Sequence, residues 1–103
     1  MASSVKTQMN LTTLRTKYKH EILDIARLCH AENIRIFGSV ARGEATKTSD
    51  IDFLVHMQPG AGFSIGGLQW RLEELLKHKV DVVPDTSWHH LLREKILSEA
   101  VPL

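Results

Sequence analysis

Two aspartates, Asp50 and Asp52, have the spacing of a paired carboxylate site. Residues 50–55 alternate as a half-buried strand does, and alternate side chains of a strand project from opposite faces. Both carboxylates would therefore lie on one face, with Cα atoms about 6.5–7 Å apart. At that spacing they could share one divalent cation or bridge two, since paired metals lie about 3.5–4 Å apart. Aspartate is disfavoured in strands, so the pair needs a cause; the alternative is a strand that begins at a solvated edge, with Asp50 closing a loop.

A third aspartate, Asp81, interrupts another short apolar segment, residues 80–83. A charge there costs solvation free energy unless it is paired. If this strand lies beside residues 50–55, the three carboxylates meet at one end of the sheet. Two carboxylates about 4 Å apart repel by roughly 4 kcal/mol at an effective dielectric constant near 20. Divalent cations between them would turn that repulsion into coordination, so the cluster favours an active site over a structural role.

A glycine-serine pair, Gly38-Ser39, follows the short apolar segment 34–37. Glycine lets the backbone approach a ligand closely, and amides at the start of a helical turn favour phosphate. The hydroxyl of Ser39 adds a donor, and Arg42 lies within a turn of it as a candidate phosphate ligand. By itself a glycine-serine pair after a strand is also typical of an ordinary turn. It indicates a phosphate site only in combination with the three aspartates.

The hydrophobic pattern predicts an α+β domain, a small mixed β-sheet with helices packed on it. Helices are expected over residues 10–31, from Ser64 onward and over 87–99, with a helical turn starting at 40–42. Strands are expected over 34–37, 50–55 and 80–83, which makes a three-stranded sheet. Asn10 or Thr12 is expected to cap the first helix and Asn33 to end it, while Ser64 is expected to cap the second.

Composition limits the class of protein. The chain has 103 residues, 43% hydrophobic and 24% charged, which indicates one globular domain. We expect residues 1–9 to be a loose leader and 10–103 to form a single domain. A formal net charge of +1 gives no broad basic field, so duplex nucleic acid is not an expected partner. The single Cys29 cannot form an internal disulfide, and no apolar run is long enough for a membrane span or a signal peptide. We expect a cytoplasmic protein with no membrane partner; a homo- or hetero-oligomer stays open.

Other candidate ligands are weaker. His56 shares the strand parity of Asp50 and Asp52, but a plain strand-end residue is the favoured interpretation. Trp70 and Trp88 could stack on a base, although helical aromatics are more often core or interface residues. No phosphate-binding lysine motif and no dinucleotide-binding glycine motif is present.

Taken together, the motifs resemble a known signature. Gly38-Ser39, ten intervening residues and Asp50-Ile51-Asp52 are similar to the signature of the DNA polymerase β-like nucleotidyltransferase superfamily. The fuller string Gly-Ser-Val-Ala-Arg-Gly-Glu…Thr-Ser-Asp-Ile-Asp-Phe resembles the minimal nucleotidyltransferase (MNT) family. Asp81 matches the third carboxylate of that pattern. The resemblance covers about residues 34–83 and implies a nucleotidyltransferase (polymerase β-like) core.

The resemblance also implies a reaction, nucleotidyl transfer from a nucleoside triphosphate, with ATP as the substrate and two Mg²⁺ ions. Asp50 and Asp52 would hold the metals. Asp81 would complete the second metal site and is a candidate to accept the proton of the attacking hydroxyl. All three are thus expected to be both metal-binding and catalytic.

Four further residues match nucleotide-binding positions of the family. Gly38 and Ser39 would bind the β- and γ-phosphates that leave as pyrophosphate. Arg42 would reach phosphate, and Ser49 would order the loop before Asp50.

Stand-alone MNT proteins are similar to antitoxins that accompany HEPN-domain toxins, some of which they adenylylate on tyrosine. The resemblance therefore implies an antitoxin that transfers AMP from ATP to a cognate HEPN toxin. The alternative is a binding-only antitoxin or a nucleotide-sensing subunit, which would not need three mutually repelling acids. Transfer to a small molecule is less favoured, because 103 residues leave no space for a separate substrate-binding domain.

Overall fold

A computed structural model describes residues 9–86 and 90–103, with side chains described except at positions 90–92. The described residues form a four-stranded mixed sheet in the order β3-β2-β1-β4, which confirms the α+β prediction. Its strands are β1 (Ala31–Phe37), β2 (Ile51–Met57), β3 (Val80–Pro84) and β4 (Val101–Pro102). The helices are α1 (residues 11–28), α2 (Gly38–Arg42), α3 (Ile65–Leu76) and α4 (His90–Glu99).

The first helix, α1, begins where the sequence predicts and ends earlier. Asn10 caps it by accepting a hydrogen bond from the backbone N–H of Thr13 at 2.8 Å. The helix runs through Leu11–Thr13, a π-helical stretch at Leu14–Tyr18, and Lys19–Leu28.

The predicted end of α1 at Asn33 is wrong. His30 takes a left-handed conformation with φ of 61°, which turns the chain out of the helix. Asn33, with φ of 51°, instead lies within β1, where the register against β2 shifts between Glu32 and Arg35. Such a shift is a β-bulge, a feature that local periodicity does not reveal.

The sheet has two covered faces. One face packs on α1 and α3 and forms the main core, with Ile36, Phe53 and Val55 fully buried. The opposite face carries a smaller cluster, in which Phe37 and Leu54 contact Ile96 of α4. Because the side chains of β2 alternate, Asp52 shares the second face with Leu54.

A fourth strand was not predicted, and the expectation of three strands is wrong. Val101 pairs with Ile36, and the N–H of Leu103 donates to the carbonyl of Ile34 at 3.2 Å. Arg15 of α1 also donates to the carbonyl of Pro102 at 2.6 Å. A two-residue strand containing proline is too short to produce a recognisable pattern.

The remaining boundaries differ in detail. Strand β2 starts after Asp50 and continues to Met57, and β3 includes Pro84. Ser64 precedes α3, but its side chain makes no capping hydrogen bond. The expected helix over 87–99 is described only from His90, so Trp88 and the predicted start lie outside the described residues.

Residue 9 belongs to the core, although we placed it at the end of the leader. The side chain of Met9 is only 6% exposed and packs in the main cluster. The division into a leader and one domain otherwise stays a prediction. No helix of the described residues is long and apolar enough to cross a membrane.

Candidate active site

Sheet topology brings the three aspartates to one end of the sheet, where β2 and β3 begin. Strands β2 and β3 are parallel, and their register places Asp52 directly beside Asp81. Asp50 immediately precedes β2 at the same end of the sheet. The predicted meeting of acids from two neighbouring strands is therefore observed.

Edge strand β3 is held in this register by side chains of α3. The N–H of Val80 donates to Glu73 at 3.0 Å, and the N–H of Val82 donates to Gln69 at 3.2 Å. These bonds satisfy backbone donors on either side of Asp81 that have no strand partner on that edge. Asp81 itself is exposed and faces the opposite side of the sheet from the core residues Val80 and Val82.

The glycine-serine turn lies at the same end of the sheet because β1 is antiparallel to β2. Phe37, the last residue of β1, pairs with Asp52, so the chain enters α2 beside the acids. Gly38 has φ of +74°, and a Cβ built on it would collide with Oδ2 of Asp52. Glycine is thus needed for the close approach of the protein's own carboxylate, and the predicted approach of a ligand to Gly38 stays a prediction.

The carboxyl group of Asp52 is electrostatically perturbed. Burial, followed by repulsion from Asp81 and Asp50, raises its pKa from 3.8 to about 6. Arg42 opposes the rise and Glu99 adds to it. This is the behaviour expected of acids gathered without a counter-ion, and a bound cation would reverse it.

The donor chemistry fits magnesium. Asp50, Asp52 and Asp81 offer only oxygen ligands, which Mg²⁺ prefers. In residues 9–86 and 90–103, however, no three acidic, histidine or cysteine side chains stand close enough to hold an ion by themselves. Mg²⁺ usually keeps several waters and takes substrate phosphate oxygens in addition to one or two carboxylates, so an incomplete protein cage is compatible with it.

Arg42 lies beside the turn but is already paired. Its Nε donates to Glu44 at 2.8 Å and its Nη1 donates to Glu99 at 3.0 Å. The same Oε1 of Glu99 accepts the N–H of Gly38 at 3.1 Å. Glu99 was missed by the sequence reasoning. It lies 61 residues from Gly38, and no local motif marks it.

Ser49 stabilises the loop before Asp50. Its Oγ accepts the N–H of Thr46 at 2.8 Å, and its own N–H donates to the carbonyl of Thr46 at 3.1 Å. Ser39, by contrast, lies in the first turn of α2 and is half-buried. Nucleotide binding by Gly38, Ser39, Arg42 and Ser49 stays a prediction.

Two weaker candidates do not join the site. His56 lies near the other end of β2, where its Nδ1 is 3.0 Å from Asp85 Oδ2. The same Asp85 oxygen is 3.8 Å from Arg35 Nη2. Trp70 is 61% exposed on α3.

A cavity of about 200 Å³ adjoins the acids beneath α4. Its apolar lining includes Phe37, Val83 and Ile96, and Asp81 and Glu99 also line it. It can therefore hold an apolar or aromatic group against a carboxylate that is open to solvent.

Comparisons with known proteins show which chains this one is similar to. The profile of the nucleotidyltransferase domain family matches residues 17–103. MJ0435 of Methanocaldococcus jannaschii, which carries the name of a protein adenylyltransferase, is 42% identical over 84 residues, covering 81% of this chain and 90% of MJ0435. A solved structure of a minimal nucleotidyltransferase superposes with a TM-score of 0.80 at 39% identity, covering 95% of this chain and all of that one.

A more distant neighbour shares the fold alone. It belongs to a complex of a tri-AMPylated HEPN toxin of Shewanella oneidensis with its MNT antitoxin. The TM-score is 0.61 at 21% identity, and the match covers 82% of this chain and 66% of that one.

Proposed function

Because this chain belongs to the nucleotidyltransferase domain family, as a minimal nucleotidyltransferase, we propose that it is an Mg²⁺-dependent antitoxin that transfers AMP from ATP to a tyrosine of a cognate HEPN toxin. Nucleotidyl transfer as the kind of reaction follows from the family. The protein acceptor is supported by the name of the 42% identical relative. The toxin partner is supported by the more distant neighbour, which was solved in complex with a HEPN toxin. Such a pair would act in the cytoplasm.

The observation that most supports the proposal is the register of β2 and β3, which sets Asp52 beside Asp81. The two acids lie at the end of the sheet where α2 begins at Gly38. Without a cation, the mutual repulsion of three carboxylates at one end of the sheet costs free energy. A protein that only bound its partner would have no use for that cost. A nucleotidyltransferase needs the acids, because they hold the metal against the triphosphate.

In the proposed reaction, Asp50 and Asp52 would hold Mg²⁺, and Asp81 would complete the second metal site. The ions would neutralise charge on the triphosphate and lower the pKa of the attacking hydroxyl. The acceptor oxygen forms a bond to the α-phosphorus of ATP, the bond from that phosphorus to the oxygen bridging to the β-phosphate breaks, and pyrophosphate leaves. Asp81 accepts the proton of the hydroxyl.

The exposure of Asp81 suits an acceptor that arrives from another protein. A tyrosine ring placed in the cavity beneath α4 would pack against Phe37, Val83 and Ile96. Its hydroxyl could then reach Asp81. The turn at Gly38-Ser39 would bind the phosphates that leave, with Arg42 beside it.

Labelling with ATP tests the proposal. The purified chain is incubated with Mg²⁺, ATP labelled at the α-phosphate and, as the candidate toxin, the protein that the neighbouring gene encodes. We expect label on a toxin tyrosine, lost in a toxin Tyr→Phe variant and in Asp52→Asn. Asp24→Asn on α1 is the matched control, since it removes a carboxylate that pairs only with its helical neighbours Arg27 and His20 among the described contacts.

A tight complex with no transfer of label would overturn the enzymatic proposal and leave a binding-only antitoxin. Label on a small molecule in place of the protein would overturn the assignment of the acceptor. Transfer that persists without divalent cation would overturn the role of Mg²⁺.

A further inference from the structure

The carboxylate of Glu99 occupies the donors that the proposed function assigns to phosphate. Its Oε1 accepts the N–H of Gly38 at 3.1 Å and Arg42 Nη1 at 3.0 Å. Glu99 is the last residue of α4, and its side chain is 21% exposed. An anionic oxygen that takes a backbone amide and a guanidinium together makes the contacts that a phosphate oxygen would make.

Charge makes the two occupants mutually exclusive. Arg42 already faces two carboxylates, with Glu44 on its Nε at 2.8 Å and Glu99 on its Nη1. One cation between two anions leaves a net negative charge. Triphosphate oxygens brought to the same donors would be repelled for as long as Glu99 stays there.

We propose that Glu99 is an internal anion that holds the phosphate position of the nucleotide-free protein, and that a triphosphate must displace it from Gly38 and Arg42 to bind. This inference rests on the proposed function. Its consequence is that Glu99 lowers the affinity for ATP and, by returning to the same donors, speeds the release of pyrophosphate. Glu99 is thus a positioning residue that acts through Gly38 and Arg42.

The surroundings allow the displacement. Glu99 ends α4 with its side chain 21% exposed, so its carboxylate can leave the turn toward solvent and leave the cavity of about 200 Å³ beneath α4 free for the acceptor. Lys95, one helical turn earlier, lines the same cavity and offers a replacement cationic partner. The apolar contacts of Ile96 with Phe37 and Leu54 can keep α4 on the sheet meanwhile.

Binding of phosphate probes to Glu99→Gln tests the inference. Glutamine keeps the side-chain size and an acceptor oxygen for the N–H of Gly38 but removes the charge. We expect Mg²⁺–tripolyphosphate and Mg²⁺–ATP to bind about five- to tenfold more tightly to the variant, because a charge-assisted bond no longer competes. Adenosine, which has no phosphate, should bind equally to both proteins.

The matched control is Glu94→Gln, which removes an exposed carboxylate from the same helix. It should leave every affinity within about twofold of wild type, because exposed charges are strongly screened. In turnover, Glu99→Gln should lower both KM for ATP and kcat, with pyrophosphate becoming a stronger product inhibitor. A role confined to holding the fold would not tighten the binding of any phosphate compound.

Unchanged or weaker tripolyphosphate binding to a folded Glu99→Gln protein would overturn the inference. If the variant does not fold, the wild-type protein decides. The side-chain carboxyl carbon signal of Glu99 should shift in NMR spectra when Mg²⁺–tripolyphosphate is added and not when adenosine is added, and a signal that stays in place would overturn the inference. Wild-type protein that binds neither ATP nor tripolyphosphate would instead refute the proposed function.

Discussion

Asp52 is the residue on which the electrostatics of the site converge. It is half-buried, lies against Gly38 and has Asp81 as its neighbour in the next strand. Burial and the two nearby acids make its ionisation unfavourable in the folded protein. The charge that the proposed reaction requires of Asp52 is therefore kept at a cost in stability.

That cost predicts a pH dependence. The folded-state pKa of Asp52, about 6, lies above the ordinary value of 3.8, so the native state binds this proton more tightly than the unfolded state. Its contribution to stability is full below pH 3.8 and is lost as the pH rises through 6. Asp52→Asn should be more stable than wild type by about 1 kcal/mol at pH 7, a figure reduced for partial exposure, with the difference vanishing near pH 4.

Denaturant unfolding of both proteins at several pH values, without divalent cation, measures this difference. Asp24→Asn serves as the control, since that carboxylate pairs with Arg27 on the surface of α1. A free energy of unfolding of the wild-type protein that rose with pH relative to that of Asp52→Asn would contradict the prediction.

Two glycines with the same backbone conformation give a second prediction. Gly38 and Gly43 have φ of +74° and +75°, so alanine strains both equally. A Cβ at Gly43 meets nothing within 4 Å, whereas one at Gly38 collides with Asp52. Gly43→Ala should cost about 1 kcal/mol and keep activity. Gly38→Ala should cost more and remove activity, because Asp52 must move.

Thermal unfolding and the labelling assay compare the two variants. Equal losses of stability and activity would show that left-handed strain alone explains the need for glycine at position 38, and that contact with Asp52 is unimportant.

At the scale of elements, the loop between α2 and β2 positions Asp50. Ser49 closes it by accepting the N–H of Thr46 at 2.8 Å, whereas the Thr48 hydroxyl touches only that of Thr46, at 3.3 Å, among the described contacts. Ser49→Ala should lose about 1 kcal/mol of stability and lower kcat, because Asp50 follows directly. Thr48→Ala is the control and should change neither by a measurable amount.

The measurement is denaturant unfolding together with the rate of AMP transfer at saturating ATP. A kcat for Ser49→Ala equal to that of Thr48→Ala would contradict a positioning role. A raised KM for ATP with kcat unchanged would instead support direct contact of Ser49 with the nucleotide.

At the scale of the whole molecule, ligand binding should be coupled to folding. A small domain buries a limited core, and a ligand that binds only the native state stabilises it by about 2.7 kcal/mol at a hundredfold excess over Kd. Mg²⁺ with ATP should therefore raise the melting temperature more than either alone. The gain should shrink in Asp50→Asn and Asp81→Asn, because each removes a proposed metal ligand.

Differential scanning fluorimetry measures this coupling, with Ca²⁺ as a comparison ion and Asp24→Asn as the control protein. A gain of the same size in Asp81→Asn as in wild type would remove that residue from the metal site. A gain with ATP alone equal to that with Mg²⁺ and ATP would contradict metal-dependent binding.

The strands and helices that carry the candidate residues could be predicted from the sequence because their patterns are local. Alternation around Asp50 and Asp52 depends on neighbours two residues apart, and the apolar spacing of α3 depends on neighbours three or four apart. The glycine at position 38 is likewise a local requirement of φ. Short or irregular features, such as β4 and the bulge at Asn33, escaped because they contain too few residues to form a pattern.

Only the tertiary structure decided which residues meet. The parallel register that sets Asp81 beside Asp52 depends on how β3 packs against β2 and α3, which no short stretch of sequence encodes. The contact of Glu99 with Gly38 and Arg42 joins residues 61 and 57 positions apart. Such contacts arise when burial of the whole core outweighs the entropy of closing long loops, so they belong to the folded molecule and not to any segment of it.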